Sequence, residues 1–247
     1  MHLIKDFISR ANHVIPVYVI GIGGTGSHVL SILAKINYEL RRQESLGFKV
    51  FAIDGDVVES SNIGRQNFSP SHLGLNKAEV MITAINRFYG FDWLAMQEHL
   101  TVKSFRNKEL SNILAHKGII ITCVDNYKAR AIIGKHMVKD SYWIDAGNSY
   151  SSGQIIIGKK GILPNVLEEF PDLEKIDQLN NAPDEAGCNS AQQGLLTNLT
   201  MATYIGYIMN GIFRDYFLNY RGIYLNIGEN LSINKIPITN DGIKSTK

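Results

Sequence analysis

At 247 residues, with 45% apolar and 19% charged side chains, the chain can bury a sizeable core, and its composition argues against a disordered segment. A net charge of +2, from 25 basic and 23 acidic residues, gives no support to nucleic acid or an anionic membrane as the main partner. Two cysteines, Cys123 and Cys188, are too few for a disulfide framework or a four-cysteine zinc site, so a reducing cytoplasm is the expected home. No stretch near the N-terminus has the length of a signal peptide, and no window reaches the roughly 20 apolar residues of a bilayer span. A chain that is neither secreted nor membrane-spanning is expected.

Short β-branched runs alternate with helical patterns in chain order. A strand over Val17 to Ile20 is followed by a helix from about Ser27 to Arg42. A strand over Lys49 to Ile53 then precedes a helix from about Lys77 to Phe88. A weaker strand near His99 to Val102 leads to a helix near Lys108 to His116, a strand within Gly118 to Val124, a helix from about Lys128 to Val138 and a strand over Tyr142 to Ala146. This alternation predicts an α/β fold: a doubly wound, Rossmann-like, mostly parallel sheet over the first 150 residues.

After Gly153 the pattern changes. Q-I-I-I-G continues as a strand, and Lys159 to Asn189 is polar, holds three prolines and has no clean period. The segment Gln192 to Phe213 is predicted helical, with Leu195, Leu199, Ala202, Ile205 and Ile208 or Met209 on one face. The tail reads as two short strands about a turn at Gly228 to Asn230, with Lys244 to Lys247 frayed. One domain over 1–247 is expected, with a nucleotide-binding core at 15–150 and a C-terminal extension of long loop, helix and strands at 151–247.

In V-Y-V-I-G-I-G-G-T-G-S-H, Gly21, Gly23 and Gly26 satisfy G-x-G-x-x-G between a strand and a helix. Such a turn brings bare backbone and a helix N-terminus to a phosphate. Asp54, at the end of the second strand, is placed to accept ribose hydroxyls, which suits NAD and ATP equally. The following run, D-G-D-V-V-E-S-S-N-I-G-R-Q from Asp54 to Gln66, adds Asn62, Arg65 and Gln66 beyond the strand's carboxyl edge. A hydride carrier needs no arginine over its phosphates. Nucleotidyl transfer does, because negative charge spreads over the α-phosphate and the departing pyrophosphate. Lys77 offers a further point charge, or else is a solvated lysine. Asp125, after the strand ending at Val124, is placed to hold magnesium, or else caps the helix that follows.

Together these residues resemble the ThiF/MoeB family of ubiquitin-activating-type adenylyltransferases. The family pattern is G-x-G-G-x-G, D-x-D-x-V-x-x-S-N-L-x-R-Q, K-A and D-N-x-x-x-R. The chain gives Gly21 to Gly26, Asp54 to Gln66, Lys77-Ala78, and Asp125-Asn126 with Arg130; Ile63 for leucine is the one mismatch. The resemblance covers residues 15 to 158, while the stretch from Cys188 and the ending G-I-Y-L-N-I-G are similar to the ThiF-like member of PRTRC cassettes. It implies that Gly21, Gly23, Gly24 and Gly26 form the phosphate turn and that Asp54 holds the ribose. It further implies that Asn62, Arg65, Gln66 and Lys77 clamp the triphosphate, that Asp125 holds Mg2+, and that Asp56 and Asn126 belong to the cofactor site. The implied reaction is attack on the α-phosphate of ATP by the C-terminal carboxylate of a small ubiquitin-like β-grasp protein, giving an acyl adenylate and pyrophosphate. No general base is required, since a carboxylate is ionised near neutral pH.

Departures from the family bear on the details. The two C-x-x-C pairs of many relatives are absent, so no zinc is expected. Many relatives donate an N-terminal arginine across a dimer, and Arg10 is the only arginine ahead of the glycine turn; a homodimer is expected by analogy. Cys188 reads either as a thioester-forming nucleophile or as a small residue capping the helix near Gln192. The alternatives are an NAD-dependent dehydrogenase, which would leave Arg65 and Lys77 without a task, a tRNA-modifying dehydratase, which would want a basic surface, and a non-catalytic partner subunit.

Overall fold

The computed structural model describes residues 2–4, 7–8, 14–105, 110–111, 115–175, 194–228 and 230–238. Ten strands are described. β1 (His2–Leu3) pairs with β8 (Phe217–Leu218) in a small ribbon. The other eight form one sheet: β2 (Ile15–Ile20), β3 (Phe48–Ile53), β4 (Leu94–Met96), β5 (Ile119–Thr122), β6 (Tyr142–Asn148), β7 (Ser152–Lys159), β9 (Tyr220–Asn226) and β10 (Ser232–Pro237). Their spatial order is β10-β9-β7-β6-β5-β2-β3-β4. Strands β4, β3, β2, β5 and β6 run parallel, whereas β7, β9 and β10 extend the sheet antiparallel from β6. The doubly wound, mostly parallel sheet read from the sequence is therefore present, with an antiparallel C-terminal edge.

Both faces of the sheet are covered, which is why its central strands are apolar at every position rather than at alternate ones. Val17, Val19, Ile119, Ile121 and Ile144 point to one face. There they meet α1 (Gly24–Arg42), α2 (Lys77–Tyr89) and α6 (Leu195–Asn210) through Leu30, Leu33, Met81, Ile85, Met201 and Ile205. Tyr18, Ile20, Ile120 and Trp143 point to the other face and meet Ala129, Ile132 and Ile133 of α4 (Tyr127–His136). Chain order reverses about β2, with β3 on one side and β5 on the other. That switch point opens a crevice at the carboxyl ends of the three strands, where ligands of open α/β sheets bind.

Two expected element bounds are corrected. The weak strand falls at Leu94–Met96 and not at His99 to Val102, because Leu94, Ala95 and Met96 pair with Phe51, Ala52 and Ile53. Thr101 and Ser104 instead cap each other's backbone N–H groups, Thr101 N to Ser104 Oγ at 2.8 Å and Ser104 N to Thr101 Oγ1 at 3.0 Å, which starts a short helix, α3 (Val102–Phe105). The first long helix starts at Gly24, three residues before Ser27, so that the last two glycines of the motif lie inside it.

On α6, Leu195 and Leu199 are 41% and 38% exposed, while Thr197 and Asn198 are fully buried. The polar pair goes inside because it finds partners there: Thr197 Oγ1 donates to the Tyr150 carbonyl at 2.5 Å, and Asn198 accepts two hydrogen bonds. The polar stretch after Lys159 includes a one-turn helix, α5 (Val166–Glu169), fastened to β9 by Glu169, which accepts from Arg221 at 2.7 Å. Cys188, Arg10 and Lys244 to Lys247 lie outside the described residues, as does part of the Lys108 to His116 helix; Leu110, Ser111 and Ala115 are helical. Among the described residues no helix is long and apolar enough to cross a membrane.

Candidate functional site

The glycine turn sits at the switch point, and two of its glycines are fixed by space. Gly21 has φ +87°, and a Cβ there would lie 2.7 Å from the Cys123 carbonyl, at the end of β5. A Cβ on Gly26 would fall on the Gly21 carbonyl itself. Gly23 is the N-cap of α1 and offers no side-chain cap, so N–H groups of the first turn face the crevice unclaimed by a cap.

Asp54 ties the turn to β3. Its Oδ2 accepts from the Ile22 N–H at 2.5 Å and its Oδ1 from the Asp56 N–H at 2.8 Å. The carboxylate is nearly buried, and burial raises its pKa above the ordinary value although the two N–H groups pull it back. Each oxygen keeps a further lone pair, so the group can still accept from a ligand hydroxyl.

The loop from Asp54 to Gln66 then folds over the start of α1. Asn62 Oδ1 accepts from the Glu59 N–H at 2.9 Å and so closes a single 3-10 turn, Ser60–Asn62, with Asn62 buried. The Arg65 carbonyl accepts from the His28 ring, and the Asn67 N–H donates to Ser27 Oγ at 3.1 Å. The Gln66 amide nitrogen would stand 4.0 Å from a Cβ on Gly23, and Gln66 Oε1 is buried without a hydrogen-bond partner. Asp54, the glycine turn, Gln66 and the backbone of Arg65 are thus gathered at one helix N-terminus, and Arg65 is half-buried.

Lys77 opens α2 and is buried, which rules out the solvated alternative. Its ammonium donates to Asp56 Oδ2 at 3.0 Å; the Lys77 side chain is 9% exposed and that of Asp56 55%. Asn76 docks the helix start against the same loop, donating to the Asp54 and Asp56 carbonyls at 2.9 and 3.1 Å. Asp125 stands exposed just past β5 and has no hydrogen-bond or ion-pair partner among the described residues, so its carboxylate is open to a cation. The capping alternative for Asp125 is corrected: Asn126 is the N-cap of α4, its Oδ1 accepting from the Ala129 N–H at 2.9 Å. Asn126 can therefore meet a ligand only with what capping leaves over.

Arg130 of the D-N-x-x-x-R motif goes elsewhere. It is buried under the sheet's edge, donating Nε to Asp145 Oδ1 at 2.9 Å and Nη2 to the Val124 carbonyl at 2.7 Å. Thr122 Oγ1 also donates to Asp145, and Trp143 Nε1 donates to Thr122 Oγ1 at 2.8 Å. This network holds the strand from which Asp125 projects.

Sequence reasoning missed one group. Thr25, on the first turn of α1, has its hydroxyl 3.3 Å from Asn148 Oδ1 and 3.2 Å from Asn198 Oδ1, and Asn148 Nδ2 donates to Asn198 Oδ1 at 2.8 Å. These residues lie far apart in the chain, and no local pattern announces their meeting. A separate open groove of about 800 Å³, lined by Leu75, Val80, Thr83 and Phe88 on the outer side of α2, includes no residue of the glycine turn.

Comparison with known proteins bears on the family and the fold. The sequence model of the ThiF family matches residues 5–227. Ubiquitin-like modifier-activating enzyme 5 of Drosophila grimshawi is 29% identical over 175 residues, 65% of this chain and 40% of that protein. The Aedes aegypti protein of the same name is 30% identical over 145 residues, 54% of this chain and 34% of that protein. The chain thus spans well under half the length of these curated relatives. Among solved structures, PaaA superposes with a TM-score of 0.70 at 20% identity, covering 91% of this chain and 73% of that one. E. coli MccB, solved with ATP, gives 0.67 at 18% identity over 95% and 66%. At such identities the likeness is one of fold.

Proposed function

The chain belongs to the ThiF family, and from that premise we propose that it is an ATP-dependent adenylyltransferase that activates a carboxylate, the C-terminal carboxylate of a small ubiquitin-like β-grasp protein. One observation carries the reading. The Asp54–Gln66 loop is pinned at its start by Asp54 to Ile22 of the glycine turn and just past its end by Asn67 to Ser27 of α1, with the Arg65 backbone carbonyl beside His28. A ribose acceptor and a phosphate turn are thereby brought together beside Arg65, whose guanidinium this reading assigns to the same nucleotide. An NAD-dependent dehydrogenase would use the first two and leave the third idle.

In this reading Asp54 accepts from the ribose, and the N–H groups of the glycine turn with Gln66 and Asn62 receive phosphate oxygens. Arg65 and Lys77 neutralise the charge that develops as the carboxylate oxygen bonds to the α-phosphorus and the pyrophosphate oxygen leaves. Lys77 is exchanged from Asp56 to the nucleotide. Asp125, exposed and unpaired, would hold Mg2+, which when bound supplies charge neutralisation to the phosphates; Asp56 and Asn126 complete the wall. Positioning and charge supply the acceleration, since the nucleophile needs no base. A homodimer with Arg10 reaching the neighbouring site, a thioester on Cys188, kinship with the PRTRC cassette members and a cytoplasmic setting are further parts of the proposal. They rest on the resemblance of the sequence.

Isotope exchange between pyrophosphate and ATP tests it. Exchange is expected to require the carboxylate partner and to fall at least about a hundredfold in Arg65→Ala. Asp125→Asn should raise the Mg2+ needed for half-maximal exchange by about tenfold or more. Tight NAD binding without exchange would point to the dehydrogenase instead.

A further inference from the structure

The Thr25–Asn148–Asn198 cluster keeps amide hydrogens that its own oxygens do not take up. Its hydrogen bonds among the described residues end on two amide oxygens, Asn148 Oδ1 and Asn198 Oδ1. Asn198 Oδ1 is used twice, while Asn198 Nδ2 is buried with no acceptor among the described residues. An amide nitrogen carries two hydrogens, so Asn148 Nδ2 has one to spare after its bond to Asn198. Asn148 is the half-buried member and the last residue of β6, whereas Thr25 and Asn198 are sealed behind it. An acceptor entering here, such as a carbonyl, a carboxylate or a phosphate oxygen, would meet that spare hydrogen. The cluster's place on the first turn of α1 favours negative charge as well.

Strand order says which end of the reaction it serves. Asp54 stands at the tip of β3, on one flank of β2, and β5 and β6 lie on the opposite flank. A nucleotide with its ribose at Asp54 and its α-phosphate at the glycine turn leaves the β6 flank to whatever joins that phosphorus. We propose that Asn148 binds the acyl oxygen of the carboxylate substrate through its spare N–H, with Thr25 and Asn198 as positioning residues that fix the amide's orientation. This rests on the adenylation reading above and adds to it the residues that receive the acyl end.

The experiment uses three probes and calorimetry: AMP, α,β-methylene-ATP and 5′-O-(N-glycylsulfamoyl)adenosine, a stable mimic of the smallest aminoacyl adenylate. The intact chain is expected to bind the glycyl mimic more tightly than AMP. Asn148→Ala should erase about tenfold of that preference while AMP and α,β-methylene-ATP bind as before. Thr25→Val, which removes the hydroxyl and keeps the shape, should erase a smaller part of the same preference, with thermal melting confirming that both variants fold. Equal loss on all three probes, loss confined to α,β-methylene-ATP, or no loss overturns the assignment and leaves adenylation standing. A wild-type chain that binds the mimic no better than AMP also overturns it alone, whereas one that binds no adenine nucleotide defeats both readings.

Discussion

Two ion pairs in this protein each take their basic residue from the family pattern, yet they are made for opposite ends. Lys77 and Asp56 meet at the rim of the crevice, and the aspartate is more than half exposed. Arg130 and Asp145 meet under β5 and β6, at 7% and 1% exposure. Water and incoming anions can compete for the first pair. They cannot reach the second, where removing one partner strands the other charge in a low dielectric. A basic residue in a motif is thus a candidate for chemistry only after its burial partner is known.

The sharpest way to break the comparison is Arg130→Met. It should cost roughly 3–5 kcal/mol of unfolding free energy in urea titrations, because Asp145, whose Oδ2 already lacks a partner, loses its counter-charge. A loss below about 1 kcal/mol would mean that the pair is as replaceable as a surface bridge.

Lys77→Met should do the reverse: exchange falls at least about a hundredfold, while stability changes by no more than about 1 kcal/mol, since Asp56 is left in water and the stem still packs. If stability collapses along with activity, Lys77 is a structural cation like Arg130.

The smallest effect concerns His28, which joins α1 to the Arg65 loop. Burial lowers its pKa below 6.5, and the Arg65 carbonyl only partly restores it. The unfolded chain therefore binds more protons than the folded one between the lowered value and 6.5. Stability should be full above that window and decline as pH falls through it. Replacement by Gln should flatten this part of the profile, and an unchanged slope in the variant would assign the decline to another group.

The parallel core was legible because each central strand is buried on both faces and must be apolar throughout, and because each crossover helix carries its own start signal, such as Asn76 before Lys77. The parallel edge strand β4 was legible only in part. Leu94 to Met96 is too short to show a period, and its position is set by register with β3 rather than by its own residues. The buried face of α6 was misread at Leu195 and Leu199 because its first turn turns polar residues inward toward partners more than 45 residues away in sequence. The same distance hid the Thr25 cluster. Charged and amide residues of the crevice were found because they fall in one continuous run, whereas the destination of Arg130 depended on Asp145, which no spacing rule connects to it.

The crowding at the third glycine bears on how such chains are recognised at all. Gly26 has no room for a methyl group because α1 presses on the carbonyl of Gly21, a demand of the strand-to-helix bend alone. A descendant that had lost every affinity for nucleotide would have to keep that glycine in order to fold. Searches keyed on glycine spacing therefore collect architectural cousins irrespective of metabolism, and under the proposed function the discriminating information resides in Arg65, Lys77 and Asp125, which the backbone itself would let drift.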